Sequence, residues 1–328
     1  MKPVRWGILS TANIFTKAFL VPMQKSEKVE LYGIASRNAE KAKVAASSCG
    51  IPNHYGSYED MLSDTSIEAV YIPLPNNMHL EWIKKSADAG KHILCEKPLT
   101  MNAGEAREAA DYCKTKGVLL MEAFMYRYNP QWKRAKEIIT TGNIGTVRSV
   151  QTYFSYNNNN PKNIRNIPEL GGGALYDIGC YAISAARFMF GREPVKTVSL
   201  INRHSDFKTD ILTSGILDFD DGHSVFTVGT LNFPYQKVDI IGTGGSIHIR
   251  IPFNTYTDVP AEMTVVTSVG SRELKFHPAD QYEIQIDAFS ESVRNGSPEP
   301  TPIEDAINNM SVIDAVFRSE QSGNWETV

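Results

Sequence analysis

The stretch His92-Ile-Leu-Cys-Glu96-Lys97-Pro98 is an apolar run that ends abruptly in an acid, a cation and a proline. The run predicts a buried parallel strand, which must stop at Lys97 because proline cannot donate to a sheet ladder. In an open α/β sheet, ligands bind beyond the carboxyl ends of the strands, where Glu96 and Lys97 fall. Since many strands also end in a lysine for solubility alone, the flanking sequence must distinguish the two interpretations.

Strands and helices alternate on both sides of this stretch. Strands are predicted at 4–9, 29–35, 68–72, 92–95 and 118–121, with helices up to about 24 and at 39–48, 58–62, 78–89 and 103–116. This alternation implies right-handed crossovers and a doubly wound parallel sheet, a nucleotide-binding architecture.

From about Ala123 the pattern changes. Helices are predicted at 130–139 and 174–190, strands at 146–154, 195–202, 211–219, 223–232, 236–242, 246–251, 262–268 and 272–276, and closing helices at 280–294 and 303–319. Strands without intervening helices pair antiparallel and can leave one face free. We therefore expect an α+β domain with a large, mostly antiparallel open sheet, and the last helix is a candidate to pack back on the first domain.

Composition excludes several classes of protein. The 328 residues are 42% hydrophobic and 21% charged, with a formal charge of −4 and no block of Lys and Arg, which argues against nucleic acid as a partner. No apolar run approaches the ~18 residues that cross a membrane, and the N-terminal apolar core is too short for a signal peptide. The cysteines Cys49, Cys95, Cys113 and Cys180 lack metal-site spacing, so we expect no metal and reduced thiols in a cytoplasmic protein.

The turns after the first two strands are candidate cofactor contacts. Ser10-Thr11-Ala12-Asn13-Ile14 stands where a dinucleotide fingerprint would have glycines, and its small residues let a phosphate approach a helix N-terminus. The second strand ends in Ser36-Arg37 without the acid that NAD-binding folds place there, which suits a 2′-phosphate. The sequence thus favours NADP over NAD, although a solvated arginine opening a helix is the alternative.

The loop Pro73-Leu74-Pro75-Asn76-Asn77-Met78-His79 follows the third predicted strand. Its prolines fix an extended backbone that could lie along a cofactor, which makes Pro73, Leu74, Asn76 and His79 candidate contacts. Asn77 is equally typical of a helix N-cap, and His79 of a surface histidine with satisfied hydrogen bonds.

The stretch Gly171-Gly-Gly-Ala-Leu-Tyr-Asp177-Ile-Gly-Cys-Tyr181 combines a flexible turn with two polar side chains on one helix face. Its glycines let backbone approach a ligand, and the helix that they open offers unpaired N–H groups. Alcohol oxidation needs a base for the hydroxyl proton, and Tyr181 can serve if a nearby cation such as Lys97 stabilises its phenolate. Without Lys97, ordinary hydrogen-bonding roles for Asp177 and Tyr181 would be favoured.

Together with Glu96-Lys97-Pro98 and Pro75-Asn76-Asn77-Met78-His79, this stretch resembles the glucose–fructose oxidoreductase / inositol dehydrogenase / MocA (Gfo/Idh/MocA) family over nearly the whole chain. The segment Glu122-Ala-Phe-Met-Tyr-Arg127-Tyr-Asn-Pro130 and a tyrosine at 181 are similar to the branch of dimeric dihydrodiol dehydrogenases and NADP-dependent xylose dehydrogenases. The resemblance implies a Rossmann domain at 1–123 and a substrate-binding and dimerisation domain at 124–328.

The resemblance also implies roles for individual residues. Lys97 and Tyr181 would be the catalytic pair, with Asp177 binding substrate and orienting the site. Glu96 and Arg127 would lie near the cofactor, and Tyr282 would reach the substrate. The Lys97–Pro98 bond is often cis in this family. Two departures stand out, since Ser10 and Ala12 replace glycines and Asn129 replaces a common histidine.

These observations predict a homo-oligomeric, at least dimeric, NADP(H)-dependent oxidoreductase acting on a hydroxyl or carbonyl of a cyclic polyol, most simply a pyranose sugar. A trans-dihydrodiol dehydrogenase and a ketosugar reductase are the alternatives among enzymes. A dinucleotide-binding regulator without turnover is the alternative outside them. The exact substrate, the direction of the reaction and the release of NADP in each cycle stay open.

Overall fold

The computed structural model describes residues 2–328. The chain divides into two compact units, which we call the first and second unit. The first contains the chain up to Met125 together with Asp280–Ile307, and the second contains Tyr126–Ala279 together with Asn308–Val328. Within residues 2–328, no helix is long and apolar enough to cross a bilayer.

The first unit is built on a six-stranded parallel sheet in the order β3-β2-β1-β4-β5-β6. Its strands are β1 (Val4–Leu9), β2 (Val29–Ala35), β3 (Asn53–Tyr55), β4 (Ala69–Ile72), β5 (His92–Cys95) and β6 (Leu120–Glu122). The helices between them are α1 (Leu20–Lys25), α2 (Ala39–Cys49), α3 (Tyr58–Ser63), α4 (His79–Asp88) and α5 (Ala103–Lys116). This confirms the predicted doubly wound sheet, with the reversal of strand order between β1 and β4.

Local caps explain why the helix limits agree with the sequence patterns. Asn102 accepts a hydrogen bond from the Glu105 N–H at 2.9 Å at the start of α5, and Gly117 ends the helix with φ 68°. A short polar acceptor at the N-cap and a glycine in the left-handed region are the usual signals for helix ends. By contrast β3 has three residues and no apolar run, so the pattern did not reveal it.

The second unit is built on a nine-stranded sheet in the order β14-β13-β12-β11-β7-β10-β9-β8-β15. Its strands are β7 (Val147–Asn157), β8 (Lys196–Arg203), β9 (Asp210–Asp218), β10 (His223–Gly229), β11 (Leu231–Gly242), β12 (Gly245–Ile249), β13 (Ala261–Thr267), β14 (Gly270–Phe276) and β15 (Glu326–Thr327). The β7–β10 pair is parallel, and the other neighbours are antiparallel. Helices α6 (Pro130–Thr140) and α7 (Cys180–Phe190) contact this sheet, which confirms the predicted mixed fold.

Two helices, α8 (Gln281–Asn295) and α9 (Ile303–Ser322), lie between β14 and β15. One domain is predicted over 124–328, with the last helix as a candidate to pack back on the first domain, whereas the structure shows α8 packing on α1, β1 and β2 within the first unit. Ser290 of α8 accepts a hydrogen bond from the Trp6 indole at 3.2 Å, and Arg294 forms an ion pair with Glu68 at 2.6 Å. The reason for the difference is tertiary, since these partners lie more than 220 residues away in sequence.

Candidate active site

The turn after β1 is shaped by Ser10, whose φ of 141° lies in the region that favours glycine. Its hydroxyl oxygen accepts a hydrogen bond from the Ala12 N–H at 3.1 Å and donates to the Pro73 carbonyl oxygen at 3.4 Å. Thr11, Ala12 and Ile14 are half-buried and Asn13 is exposed, and a π-helical turn at Phe15–Phe19 leads into α1. Ser10 thus adopts the backbone conformation of the missing glycine and fixes the turn with its side chain.

At the end of β2, Ser36 is buried and Arg37 is exposed. Ser36 donates its N–H to the Tyr55 carbonyl oxygen at 3.1 Å, and its hydroxyl accepts from the Asn38 N–H at 3.3 Å. Burial raises the pKa of Tyr58, while the neighbouring Arg37 guanidinium lowers it. A glycine-like turn at the switch point of the sheet, with the exposed cation Arg37 beyond β2, fits a dinucleotide.

The loop after β4 differs from the expectation for His79. Pro73 and Leu74 are buried and Asn76 is half-buried, but His79 is 0% exposed rather than at the surface. Both of its ring nitrogens face backbone carbonyl oxygens of the protein. The physical reason is that α4 begins with this residue and turns its side chain inward, beneath the loop. His79 therefore has no surface with which to contact a cofactor.

Glu96 and Lys97 lie at the carboxyl end of β5, where both are half-buried and the Lys97–Pro98 bond is cis. The Glu96 carboxylate accepts hydrogen bonds from the Tyr71 hydroxyl at 2.6 Å and from the Lys97 N–H at 3.3 Å. Burial, followed by Glu96, raises the pKa of Tyr71 well above its usual range. Glu96 is thus held in place by the protein itself.

Tyr282 lies in the first turn of α8 and belongs to the first unit. Its ring lies 4.9 Å from that of Phe19, edge to face, and Phe19 stacks on Tyr71 at 4.1 Å. Burial raises the pKa of Tyr282, and the Glu96 carboxylate raises it further, so the phenol stays protonated at neutral pH. The Tyr282 phenol is therefore electrostatically coupled to Glu96, the carboxylate that follows β5.

In the second unit, the glycines before α7 approach the protein's own chain and not an open ligand site. A Cβ atom on Gly172 would lie 2.6 Å from the Arg165 carbonyl oxygen, and one on Gly173 would lie 1.8 Å from Asp210 Oδ1. The Leu175 N–H, which was expected to be unpaired, donates to Asp210 Oδ2 at 2.6 Å. Asp210, buried at the start of β9, is a positioning residue that was not identified from the sequence. It lies 35 residues from Leu175 along the chain, so no local pattern links the two.

Asp177 lies in the π-helical turn Leu175–Gly179 that precedes α7. Its carboxylate accepts hydrogen bonds from the Tyr156 hydroxyl at 2.6 Å and from Arg165 Nε at 2.8 Å. Burial, followed by the Asp177 charge, raises the pKa of Tyr156. Tyr156 and Arg165 complete this polar cluster and were not identified from the sequence, because neither a strand residue nor a polar loop carries a distinctive pattern.

Tyr181 lies in the first turn of α7 and is 6% exposed. Its ring centroid lies 5.9 Å from those of Tyr126 and Phe154 and 5.2 Å from that of Phe253. Aromatic contacts at these distances hold the ring in one orientation. Because these surroundings are apolar, a phenolate at Tyr181 is unfavourable unless an opposite charge stabilises it.

Arg127 is tied to the same helix. Its Nη2 donates to the Ser184 hydroxyl at 3.0 Å, and that hydroxyl also pairs with the Tyr126 hydroxyl at 2.8 Å. The guanidinium lies 5.0 Å above the Phe188 ring. Arg127 and Tyr181 are therefore both fixed relative to α7.

The structure brings the predicted residues together in two groups. In the first unit, the Ser10 turn, the Pro73 loop and Lys97 share the carboxyl edge of the parallel sheet. In the second unit, Asp177 and Tyr181 lie at the start of α7. The pairing of Lys97 with Tyr181 links residues of different units and stays a prediction. Within residues 2–328, no cluster of His, Cys, Asp and Glu could hold a metal ion.

Comparison with known proteins gives matches over nearly the whole chain. The profile of the oxidoreductase family with an NAD-binding Rossmann fold matches residues 4–124, and that of the GFO/IDH/MocA C-terminal domain matches residues 132–248. The chain is 38% identical to D-xylose 1-dehydrogenase (NADP(+)) 2 of Haloferax volcanii, covering 97% of this chain and 98% of that protein. It is 31% identical to the mouse trans-1,2-dihydrobenzene-1,2-diol dehydrogenase, covering 75% and 74%.

Among solved structures, the fold is similar to that of a 3-ketoreductase from Actinomadura kijaniata in complex with NADP and TDP-benzene. The TM-score is 0.90 at 28% identity, covering 97% of this chain and 98% of the other. The predicted family resemblance is thereby confirmed.

Proposed function

The chain belongs to the GFO/IDH/MocA family of oxidoreductases, and from this premise we propose that it is an NADP(H)-dependent enzyme acting on a hydroxyl or carbonyl of a pyranose sugar. The observation that carries the proposal is one set of features in each unit: a dinucleotide-type sheet edge that bears Lys97 in the first, and in the second Tyr181 packed among aromatic rings at the start of α7, just after Asp177. The xylose dehydrogenase relative supports a sugar as the substrate. Because the similar proteins also include a 3-ketoreductase and a dihydrodiol dehydrogenase, the substrates tested should cover these two alternative activities.

The residues of the chain have distinct roles in this proposal. When bound, the nicotinamide supplies or accepts a hydride. Tyr181 takes or returns the proton of the substrate hydroxyl, and the Lys97 ammonium lowers the pKa of that phenol by stabilising the phenolate. Asp177, held by Tyr156 and Arg165, accepts a hydrogen bond from a neighbouring substrate hydroxyl. A polyhydroxylated ring offers such a donor next to the reacting carbon.

Replacing Tyr181 by Phe tests the assignment. The change keeps the ring within its cage of Tyr126, Phe154 and Phe253 but removes the proton-transfer group, so we expect kcat to fall by about 10²–10⁴-fold. Turnover of a panel of aldoses, ketosugars and cyclic diols, followed at the reduced-nicotinamide absorbance, measures it. Tyr112→Phe, at a half-buried position in α5 with no proposed role in catalysis, is the matched control. Near-normal turnover by Tyr181→Phe would mean that the proton travels through another group.

Lys97→Met provides a second test, because it keeps the chain length and removes the cation. We expect lower turnover and an upward shift of the basic limb of the pH profile, since the phenol of Tyr181 loses its stabilising charge. The double variant should be little worse than the worse single variant, because the two groups act as a unit. Additive losses would contradict a shared step.

Cofactor preference rests on Arg37 and on the absence of an acid at the end of β2. We expect Arg37→Ala to weaken NADPH far more than NADH, since a charge-assisted phosphate contact contributes about 1.5–3 kcal/mol. Nicotinamide fluorescence titration measures both affinities. Equal affinities of the unmodified protein for NADPH and NADH would contradict the preference.

A dinucleotide-binding regulator without turnover is the second candidate. The intact set of Lys97, Asp177 and Tyr181 favours the enzyme, because a sensor needs nucleotide contacts but no proton-transfer group. Tight NADPH binding without turnover on the whole panel would favour the regulator. Turnover lost on Tyr181→Phe, with NADPH affinity unchanged, would favour the enzyme.

The open sheet of the second unit supports assembly into a homodimer. Val198, Ile216 and Val225 lie side by side on neighbouring strands, and Leu200 on the same face is 72% exposed. A contiguous apolar surface on a sheet is a typical contact for a second copy with isologous symmetry.

A further inference from the structure

The buried side chain of His79 connects the loop after β4 with the turn after β5. We propose that His79 is the positioning residue of Lys97, through an N–H on Nδ1 that is shared between the two carbonyl oxygens of the turn just after Lys97. The inference rests on the catalytic role proposed for Lys97.

Each ring nitrogen of His79 contacts a different segment of the chain. Nε2 lies 2.9 Å from the Leu74 carbonyl oxygen, in the loop after β4. Nδ1 lies 3.1 Å from the Pro98 carbonyl oxygen and 3.2 Å from that of Leu99, just beyond Lys97. A rigid five-membered ring that contacts both segments sets the spacing between them.

Glu122 holds the same turn from its other side. Its carboxylate oxygen Oε1 accepts a hydrogen bond from the Leu99 N–H at 2.8 Å, at the end of β6. Leu99 is therefore held at its N–H by Glu122 and at its carbonyl by His79. With both backbone groups of Leu99 engaged, the direction in which Lys97 leaves β5 is fixed by two buried side chains.

A ligand contact does not explain this arrangement. His79 is 0% exposed and Glu122 is 4% exposed. Burial lowers the pKa of His79, and the Lys97 charge lowers it further, while the carbonyl contacts of Leu74, Pro98 and Leu99 raise it. A neutral imidazole carries one N–H and donates to one side at a time. With the proton on Nδ1, the ring donates to the turn after Lys97, while Nε2 lies beside the Leu74 carbonyl oxygen without donating to it. Substitutions that place a donor on one side only can therefore test the assignment.

Two substitutions each keep the contact of one ring nitrogen and remove that of the other. In His79→Asn the amide nitrogen takes a place close to that of Nδ1, which keeps the contact with the Lys97 turn. In His79→Gln the amide nitrogen reaches the place of Nε2, which keeps the contact with Leu74. Ser86→Ala in the same helix is the matched control, because Ser86 is buried and its hydroxyl has no hydrogen-bond partner among the described residues.

Hydrogen exchange followed by mass spectrometry measures the backbone protection of each contacted segment and does not need turnover. We expect His79→Gln to speed exchange about tenfold in the segment 97–101 and leave 74–78 unchanged, since one buried hydrogen bond is lost. His79→Asn, which keeps a donor at the place of Nδ1, should leave exchange in 97–101 unchanged. With an active substrate, His79→Gln should lower kcat about tenfold, whereas His79→Asn should leave kcat near that of the parent.

Equal acceleration of both segments in both variants, or none in either, would overturn the proposal, because His79 would then only fill space. If the variants at position 79 do not fold, Glu122→Ala tests the same turn and should speed exchange in 97–101 alone; unchanged exchange there would overturn it. Failure of every substrate in the panel would refute the proposed enzymatic function and leave the exchange result to decide whether His79 holds the turn after Lys97.

Discussion

Replacing Gly173 by Ala should test the architecture of the turn before α7. Gly173 has φ 121°, and a Cβ atom there would lie 1.8 Å from Asp210 Oδ1 and 3.0 Å from its Cγ. The substitution therefore combines backbone strain with a clash that forces the buried Asp210 side chain to move. Neither consequence depends on a bound ligand.

The magnitude follows from the contacts that would be lost. Strain at this φ costs about 1–3 kcal/mol. Displacing Asp210 breaks its hydrogen bonds from the Leu175 N–H at 2.6 Å and the Thr213 hydroxyl at 2.9 Å, and leaving buried groups unpaired costs about 1–3 kcal/mol. We expect a loss of about 4 kcal/mol, which at a urea m-value of about 2 kcal/mol per molar lowers the midpoint by about 2 M.

Urea unfolding of a double-mutant cycle with Asp210→Ala separates the two contributions. Without the carboxylate the added methyl group has room, so Gly173→Ala in that background should cost only the backbone strain. Gly90→Ala, with φ 70° and no atom within 4 Å of the added Cβ, is the control for strain alone. If Gly173→Ala lowers the free energy of unfolding equally with and without the Asp210 carboxylate, a clash with that carboxylate is not the reason for glycine at this position.

Other predictions concern the β1 turn, one ion pair and assembly. Ser10→Ala should lower the free energy of unfolding by about 1–2 kcal/mol through its lost hydrogen bonds, while Ser10→Gly should be nearly neutral because it relieves the strain of φ 141°; calorimetry compares the two. The Arg294 guanidinium lowers the pKa of Glu68 from 4.5 to about 2, so the pair stabilises the fold above pH 4.5 and is lost as the pH falls towards 2. Arg294→Met should cost about 2 kcal/mol at pH 7, after allowance for solvent screening, and little at pH 2; equal costs at both would contradict this. Leu200→Glu should convert the proposed dimer to monomer in light scattering, and a monomeric parent would refute the dimer.

Much of the first unit follows from local sequence alone. The predicted bounds of β1, β2, β5 and α5 agree with the structure, because apolar runs, an Asn N-cap and a terminal glycine are signals carried within each element. The three-residue strand β3 has no such signal and exists through pairing with β2. The family resemblance likewise needed only short motifs in the right order.

The roles of individual site residues needed the tertiary structure. The sequence alone indicated that glycines precede Asp177 and that His79 follows a proline-rich loop. It could not show that Asp210 requires the glycine at 173, or that His79 is buried against the turn after Lys97. The physical reason is that periodicity and caps report which face of an element is apolar and where it ends. Which side chain of a distant element arrives there is decided by packing, and at this site packing determines the function of each polar group.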